Sequence, residues 1–301
     1  MSDTTPDVGS IGIVGIGAMG FAMATHLHRR GHAPVVRDVD AATVAMAQAQ
    51  GMAVADSAAR AAERCDLLAI VVVDAAQIDA VLFGPDGVVH AARAGRAQPL
   101  AVMLCSTIAA HDTERFRDRL AAHAIDLLDA PISGGPARAA NGTMSMMLAC
   151  RAPLFTRFEP LLREMAGTLF YMGEKVGDAA RTKLVNNLLA GINLVAGAEA
   201  LALGARLGLD KRALFEVIKA SSGASWITTD RMARALDGDY TPRARTTILT
   251  KDVGLAVQMA AAAGVATPLG DEALRHFEAA VTAGLGELDD AAVVKAICPD
   301  F

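Results

Sequence analysis

From residue 11 to about 170, short apolar runs alternate with longer stretches whose apolar positions return every three or four residues. The short runs are Ile11 to Val14, Pro34 to Val36, Leu67 to Val73, Ala101 to Cys105, Ile125 to Leu128 and Met144 to Ala149. Continuously apolar strands alternating with amphipathic helices predict a parallel sheet covered by helices on both faces. After Tyr171 the strand-like runs stop. From Asp178 onward only helices are expected, punctuated by Gly208 and Asp210, Gly223, Asp237-Gly238-Asp239, Pro242, Gly264 and Pro268, and Gly284 and Gly286. The expected fold class is α/β, a doubly wound parallel sheet followed by an all-α C-terminal domain. The domain boundary is expected near Gly173 to Gly177, giving a tail at residues 1–8, a sheet domain at 9–172 and a helical domain at 173–301. A long helix beginning at Asp178 is expected to run between the two.

The first strand, Ile11 to Val14, runs directly into Gly15-Ile16-Gly17-Ala18-Met19-Gly20 as a helical pattern begins. This is the dinucleotide fingerprint in the context it requires, and it makes the sheet domain a Rossmann domain. Gly15 permits the tight turn, Gly17 lets the backbone approach a pyrophosphate, and Gly20 lets helix and strand pack closely. The amides of Ile16, Ala18 and Met19 complete a cradle at the helix N-terminus. The second strand ends at Asp38, 18 residues beyond Gly20, where a carboxylate can accept hydrogen bonds from ribose hydroxyls. That carboxylate would repel a 2′-phosphate, so NAD is the expected cofactor, with Arg37 next door as a partial offset.

Composition narrows the partners. A chain of 301 residues is long enough for two domains, and with 53% hydrophobic but only 4% aromatic residues the cores must be built from Ala, Val, Leu, Ile and Met. A net charge of -5 gives no electrostatic reason to expect nucleic acid or an anionic membrane surface, so an anionic ligand must be held by local groups. The four cysteines, Cys65, Cys105, Cys150 and Cys298, are far apart and suggest neither a zinc site nor a disulfide framework. No metal is expected, and a reducing cytoplasm fits. Ser2 to Asp7 is polar, without the basic and apolar regions of a secretory signal. The most apolar segment, Leu184 to Leu207, is interrupted by Asn186, Asn187, Asn193, Glu199 and Arg206, as expected of a helix buried in protein rather than lipid.

Three further groups carry candidate chemistry. Lys183 and Asn187 are four apart on the long helix, so an amine and an amide share one face and can converge on a ligand. Lys183 has Leu184, Val185, Leu188 and Leu189 as neighbours, which favours a half-buried amine suited to acid/base work over a solvated surface lysine. Asn187 could equally cap or bridge backbone. Asp129-Ala-Pro-Ile-Ser133-Gly134-Gly135-Pro136 comes directly after a strand. Ser133 and the amides of Gly134 and Gly135 could cradle a carboxylate, or the segment could be a plain turn. Lys251-Asp252, by itself, reads as an ion-paired surface dipeptide.

With these residues in view, the chain resembles the β-hydroxyacid dehydrogenase family, which includes 3-hydroxyisobutyrate dehydrogenase and tartronate semialdehyde reductase. The similarity spans residues 9 to 297 and rests on four motifs in order: Gly15 to Gly20, Ser133-Gly134-Gly135, Gly177 to Asn187, and Lys251-Asp252. The resemblance implies that Lys183 is the general acid/base and that Asn187 orients the substrate. It also implies that the Ser133 loop binds the carboxylate, that Val73 contributes to the cofactor site, that Ser106-Thr107 lies beside the nicotinamide, and that Lys251 reaches cofactor or substrate. A homodimer or homotetramer built by the helical domain is implied as well. Ala75-Ala-Gln77, Val81-Leu-Phe-Gly84, Ala139-Ala-Asn-Gly142, Gly197-Ala-Glu-Ala200, Ser225-Trp226 and Asp237-Gly-Asp-Tyr-Thr-Pro242 are similar to the L-threonate dehydrogenase subgroup. The expected activity is NAD-dependent hydride transfer between the nicotinamide and the β-hydroxyl carbon of a small anionic 3-hydroxy acid. Candidates are a four-carbon sugar acid such as L-threonate, then 3-hydroxyisobutyrate, tartronate semialdehyde or a 3-hydroxy amino acid. A non-catalytic nucleotide-binding scaffold is the alternative of a different class, and retention of Lys183 with Asn187 weighs against it.

Overall fold

The computed structural model describes residues 9–92 and 98–301; the tail expected at residues 1–8 lies outside them. The chain forms two compact units, residues 1–183 and 184–301. In the first, a six-stranded sheet is built from β1 (Ile11–Val14), β2 (Val35–Arg37), β3 (Ala53–Val54), β4 (Leu67–Ile70), β5 (Ala101–Leu104) and β6 (Asp126–Asp129). Its order is β3-β2-β1-β4-β5-β6 and every pairing is parallel. The order reverses between β1 and β4, and such a switch point opens the crevice in which dinucleotides bind. Helices α1 (Ala18–Arg29), α2 (Ala41–Ala49), α3 (Ala58–Glu63), α4 (Ala75–Phe83) and α5 (Ala110–Ala121) form the crossovers. Their sequences explain where they begin: Asp40, Ser57 and Asp74 cap α2, α3 and α4 through side-chain oxygens that accept backbone N–H groups.

The alternation in the sequence predicts this sheet, and the structure adds a second one. β7 (Ile132–Ser133), β8 (Ser145–Leu148) and β9 (Thr168–Tyr171) form a three-stranded sheet, antiparallel between β7 and β8 and parallel between β8 and β9. Helices α6 (Gly135–Ala140) and α7 (Ala152–Met165) connect these strands. The run ending at Ala149 therefore belongs to the second sheet, joined to the first by a bridge between Asp129 and Ala149. Two apolar cores cover the faces. One contains Ile13, Met23, Leu27, Met103, Leu128 and Phe158, the other Val14, Leu68, Ile70, Leu104 and Phe116.

α8 (Asp178–Arg206) starts at the residue expected and runs for 29 residues. By length and apolarity it could cross a membrane. Leu194, Val195, Ala198 and Leu201 on it are instead buried in the core of the second unit, with Phe215, Met232, Val253 and Phe277. That unit is completed by α9 (Lys211–Lys219), α10 (Trp226–Leu236), α11 (Thr246–Ala262), α12 (Pro268–Ala280) and α13 (Val293–Ile297). The glycine and proline positions expected to punctuate the helices do so; Gly208, Gly238, Gly264 and Gly284 all take positive φ.

Candidate active site

The fingerprint loop shows why it needs its glycines. Gly15 has φ +86°, and a Cβ there would lie 2.7 Å from the Val71 carbonyl oxygen. A Cβ on Gly20 would lie 2.0 Å from the Gly15 carbonyl oxygen, so α1 could not start where it does with any other residue. Gly17 differs: a Cβ there would meet nothing within 4 Å. Its bare backbone faces open space at the N-terminus of α1, where no side chain caps the helix and the first turn carries no acid. This is the shape and polarity that a pyrophosphate requires, and the residues present fit NAD.

Asp38 lies at the end of β2 and is tied into the same loop. One carboxylate oxygen accepts the Ile16 N–H at 2.7 Å, the other the Asp40 N–H at 2.9 Å. A carboxylate offers about four acceptor positions, so capacity remains for ribose hydroxyls. The Arg37 guanidinium turns back onto the Asp38 carbonyl oxygen. Beyond β4, Val73 is 47% exposed and donates its N–H to Gln77 Oε1 at 2.9 Å. Ser106, just past β5, is buried and donates its hydroxyl to the Val72 carbonyl at 2.6 Å, which binds the two loops together. Thr107 comes next, half-buried.

The segment after β6 turns on two glycines. Ser133 ends β7, Gly134 has φ +128° and Gly135 φ +74°, and a Cβ on Gly135 would meet nothing within 4 Å. A Cβ on Gly134 would lie 2.8 Å from the Arg138 side chain. The two glycines thus bend the chain sharply from β7 into α6 and leave the backbone of Gly135 bare.

On α8, Lys183 and Asn187 are both buried, each 7% exposed. A lysine is almost never this buried without a purpose or a partner. The structure also gives Asn187 a second anchor that the sequence did not indicate: its Nδ2 donates to Asp252 Oδ2 at 2.7 Å, and its Oδ1 accepts from Asn186 at 3.2 Å. Asp252, on α11, is 4% exposed, and its other oxygen accepts Lys251 Nζ at 2.8 Å. Lys251-Asp252 is therefore no surface dipeptide. It fixes which end of the Asn187 amide points where, leaving one N–H and one oxygen lone pair for a ligand. The only signal in the sequence was the motif itself, because the partners are 65 residues apart.

Comparisons with known proteins identify the family. Residues 10–173 match the model for the NAD binding domain of 6-phosphogluconate dehydrogenase. Residues 177–297 match the model described as NAD-binding of NADP-dependent 3-hydroxyisobutyrate dehydrogenase. The L-threonate dehydrogenase of Escherichia coli K12 is 39% identical over 286 residues, 95% of this chain and 93% of the relative. The chain belongs to the β-hydroxyacid dehydrogenase family. A 3-hydroxyisobutyrate dehydrogenase of Pseudomonas aeruginosa is 35% identical over 275 residues, 89% of this chain and 90% of that one. Among solved structures, a 3-hydroxyisobutyrate dehydrogenase from Salmonella typhimurium superposes with a TM-score of 0.87 at 38% identity, covering 95% of this chain and 99% of that chain. This β-hydroxyacid dehydrogenase is an NAD-dependent 3-hydroxyacid dehydrogenase, and the Rossmann domain followed by helices is the fold expected of it.

Proposed function

We propose that the enzyme oxidises the β-hydroxyl of a four-carbon sugar acid, L-threonate or a close analogue, with Lys183 as the group that takes the hydroxyl proton. The observation that carries this reading is the pair of buried polar groups one turn apart on α8, an amine at Lys183 and an amide at Asn187 pinned by Asp252. The similarity to L-threonate dehydrogenases along 95% of the chain supports the substrate class.

NAD, when bound, supplies the hydride acceptor. The backbone of Gly15 to Gly20 holds its pyrophosphate, Asp38 its ribose hydroxyls, and Val73, Thr107 and Lys251 border the nicotinamide end. Ser133 and the backbone of Gly134 and Gly135 hold the substrate carboxylate, which fixes the carbon that is oxidised. Asn187 donates its remaining N–H to the substrate hydroxyl oxygen. Lys183 Nζ, in its neutral form, accepts the hydroxyl proton as the carbon gives up its hydride and the carbonyl forms. Asp38 disfavours the extra phosphate of NADP, so NAD is the preferred cofactor. Exposed apolar side chains in the second unit, Leu203, Leu207, Leu209, Val217 and Trp226, supply the contact of a homodimer or homotetramer in the cytoplasm.

Replacing Lys183 by Met tests the assignment directly. The expected result is a fall in kcat of about 10²-fold or more, with the Kd for NAD unchanged by calorimetry, since a general acid/base contributes that much to rate and nothing to nucleotide binding. Near-normal turnover would remove Lys183 from the chemistry. A panel of 3-hydroxy acids followed by NADH absorbance checks the substrate, with the highest kcat/KM expected for L-threonate.

A further inference from the structure

The proton transfer proposed at Lys183 leaves a buried carboxylate of the first unit unused. Asp129 ends β6 and is 2% exposed. Its backbone is pinned at the junction of the two sheets, donating its N–H to the Ala149 carbonyl at 3.1 Å and accepting the Ala149 N–H at 2.9 Å. Its side chain reaches the start of α8. Oδ2 accepts the N–H of Gly177 at 2.8 Å and of Ala180 at 3.1 Å, and the carboxylate also takes the Ala179 N–H. These are orphan donors of the first turn, at the positive end of a helix dipole, and a carboxylate is the group that satisfies both needs.

Other contacts hold the same turn. Ala179 is packed against Met147 and Ala149. Gly177 has φ +101°, and a Cβ there would lie 2.7 Å from Glu114 Oε1. Arg181 of α8 bonds Glu114 of α5 at 2.6 Å and Asp178 at 2.8 Å, and the Cys150 thiol beyond β8 lies close enough to feel the Asp129 charge. Burial pushes the Asp129 carboxyl up to about 6, against the pull of the three amides and Arg181. The fold thus holds a charge where burial opposes it. Lys183 lies on the same helix only three residues beyond Ala180, about 4.5 Å of helical rise. Ser133 lies at the end of β7, the next strand after the one that Asp129 closes.

We propose that Asp129 is a positioning residue for the dehydrogenase reaction, acting through the first turn of α8 to set the Lys183 amine against the substrate held by Ser133. The proposal rests on the reading of Lys183 as proton acceptor. Asp129 is engaged with the backbone of Gly177 and Ala180 and is not among the groups assigned to nucleotide or substrate, so its loss is expected to affect the geometry of the chemical step rather than binding.

The test pairs Asp129→Asn and Asp129→Ala with Lys183→Met. A misplacement of the base is expected to lower kcat about tenfold in Asp129→Asn and about 100-fold in Asp129→Ala, while KM for the acid and the Kd for NAD change less than about twofold. In the Lys183→Met background, Asp129→Asn is expected to change the residual turnover by less than about twofold, because the group it positions is gone. The same fold loss in both backgrounds, or an unchanged kcat in Asp129→Asn, overturns the proposal. So does failure of both variants to fold, which would leave Asp129 a folding residue only. Near-normal turnover in Lys183→Met alone is a different failure: it overturns the reading of Lys183 and takes the positioning role with it.

Discussion

Asp129 in the first unit and Asp290 in the second are equally sealed from solvent, each 2% exposed, yet different groups satisfy them. Asp129 is met by backbone amides at the start of α8. Asp290 is met by a side chain, the Arg231 guanidinium, at 2.6 and 3.4 Å, beside a second buried pair in which Arg234 holds Asp289 at 2.8 Å. Burial pushes the Asp290 carboxyl up to about 7, and Arg231 pulls it back; Arg231 itself is half-buried but held firmly charged by Asp290 and Asp230. Around these two carboxylates the first unit uses main-chain N–H groups at the start of α8, whereas the second ties α10 to the segment at Asp290 with arginine. Main-chain donors are fixed by the fold and carry no side-chain entropy, which suits a site. Guanidinium pairs depend on both side chains staying in place, which suits a structural clamp that needs both partners.

Breaking the arginine clamp is expected to have the largest effect. Arg231→Met leaves Asp290 buried without its cation and should destabilise the protein by about 3–5 kcal/mol in chemical denaturation, whereas Arg231→Met with Asp290→Leu should recover most of the loss. If the single variant unfolds no more easily than the parent, Asp290 has found another partner and the contrast between the units fails.

The pH dependence of stability sharpens the comparison. The folded Asp129 carboxyl titrates at about 6, above its ordinary 3.8. Between these values the folded chain binds more protons than the unfolded one, so the stability this group contributes is complete below pH ~4 and is lost as pH rises through ~6, about 3 kcal/mol in all. Asp129→Asn does not titrate. Relative to the parent, its melting temperature should therefore rise from pH 4 to pH 6.5; parallel curves would mean that burial does not oppose the charge.

The smallest effect is expected where the main chain alone forms the site. Gly17 has φ -62°, and an added methyl meets nothing within 4 Å, so Gly17→Ala should melt close to the parent. The methyl would occupy the space left for the pyrophosphate, and the Kd for NAD should rise about tenfold, or ~1.4 kcal/mol, by titration calorimetry. Unchanged affinity would place the nucleotide elsewhere.

The sequence displays most of the first unit because its strands are continuously apolar and its fingerprint sits where a strand meets a helix. It does not display β3 and β7, since two-residue strands leave no periodicity to read, nor β9, whose Thr168 and Tyr171 are exposed at a sheet edge. Lys183 and Asn187 were legible because helical spacing places them on one face. The contacts of Asp129 and Asp252 were not: each bonds a residue about 50 to 65 positions away, and only folding brings them together. Buried carboxylates of this kind leave no local pattern, because what they satisfy is a backbone or an amide supplied by another element.

The single unbroken run of α8 has a consequence for how this enzyme can vary. Four residues of one helix fix the separation of Lys183 and Asn187, and one residue inserted between them would swing Asn187 about 100° around the axis. Length is therefore frozen across that interval while side-chain identity is free. In a library that adds or removes single residues along the gene, positions 183 to 187 should be a gap among active clones, flanked by tolerant stretches such as the turn at Gly208.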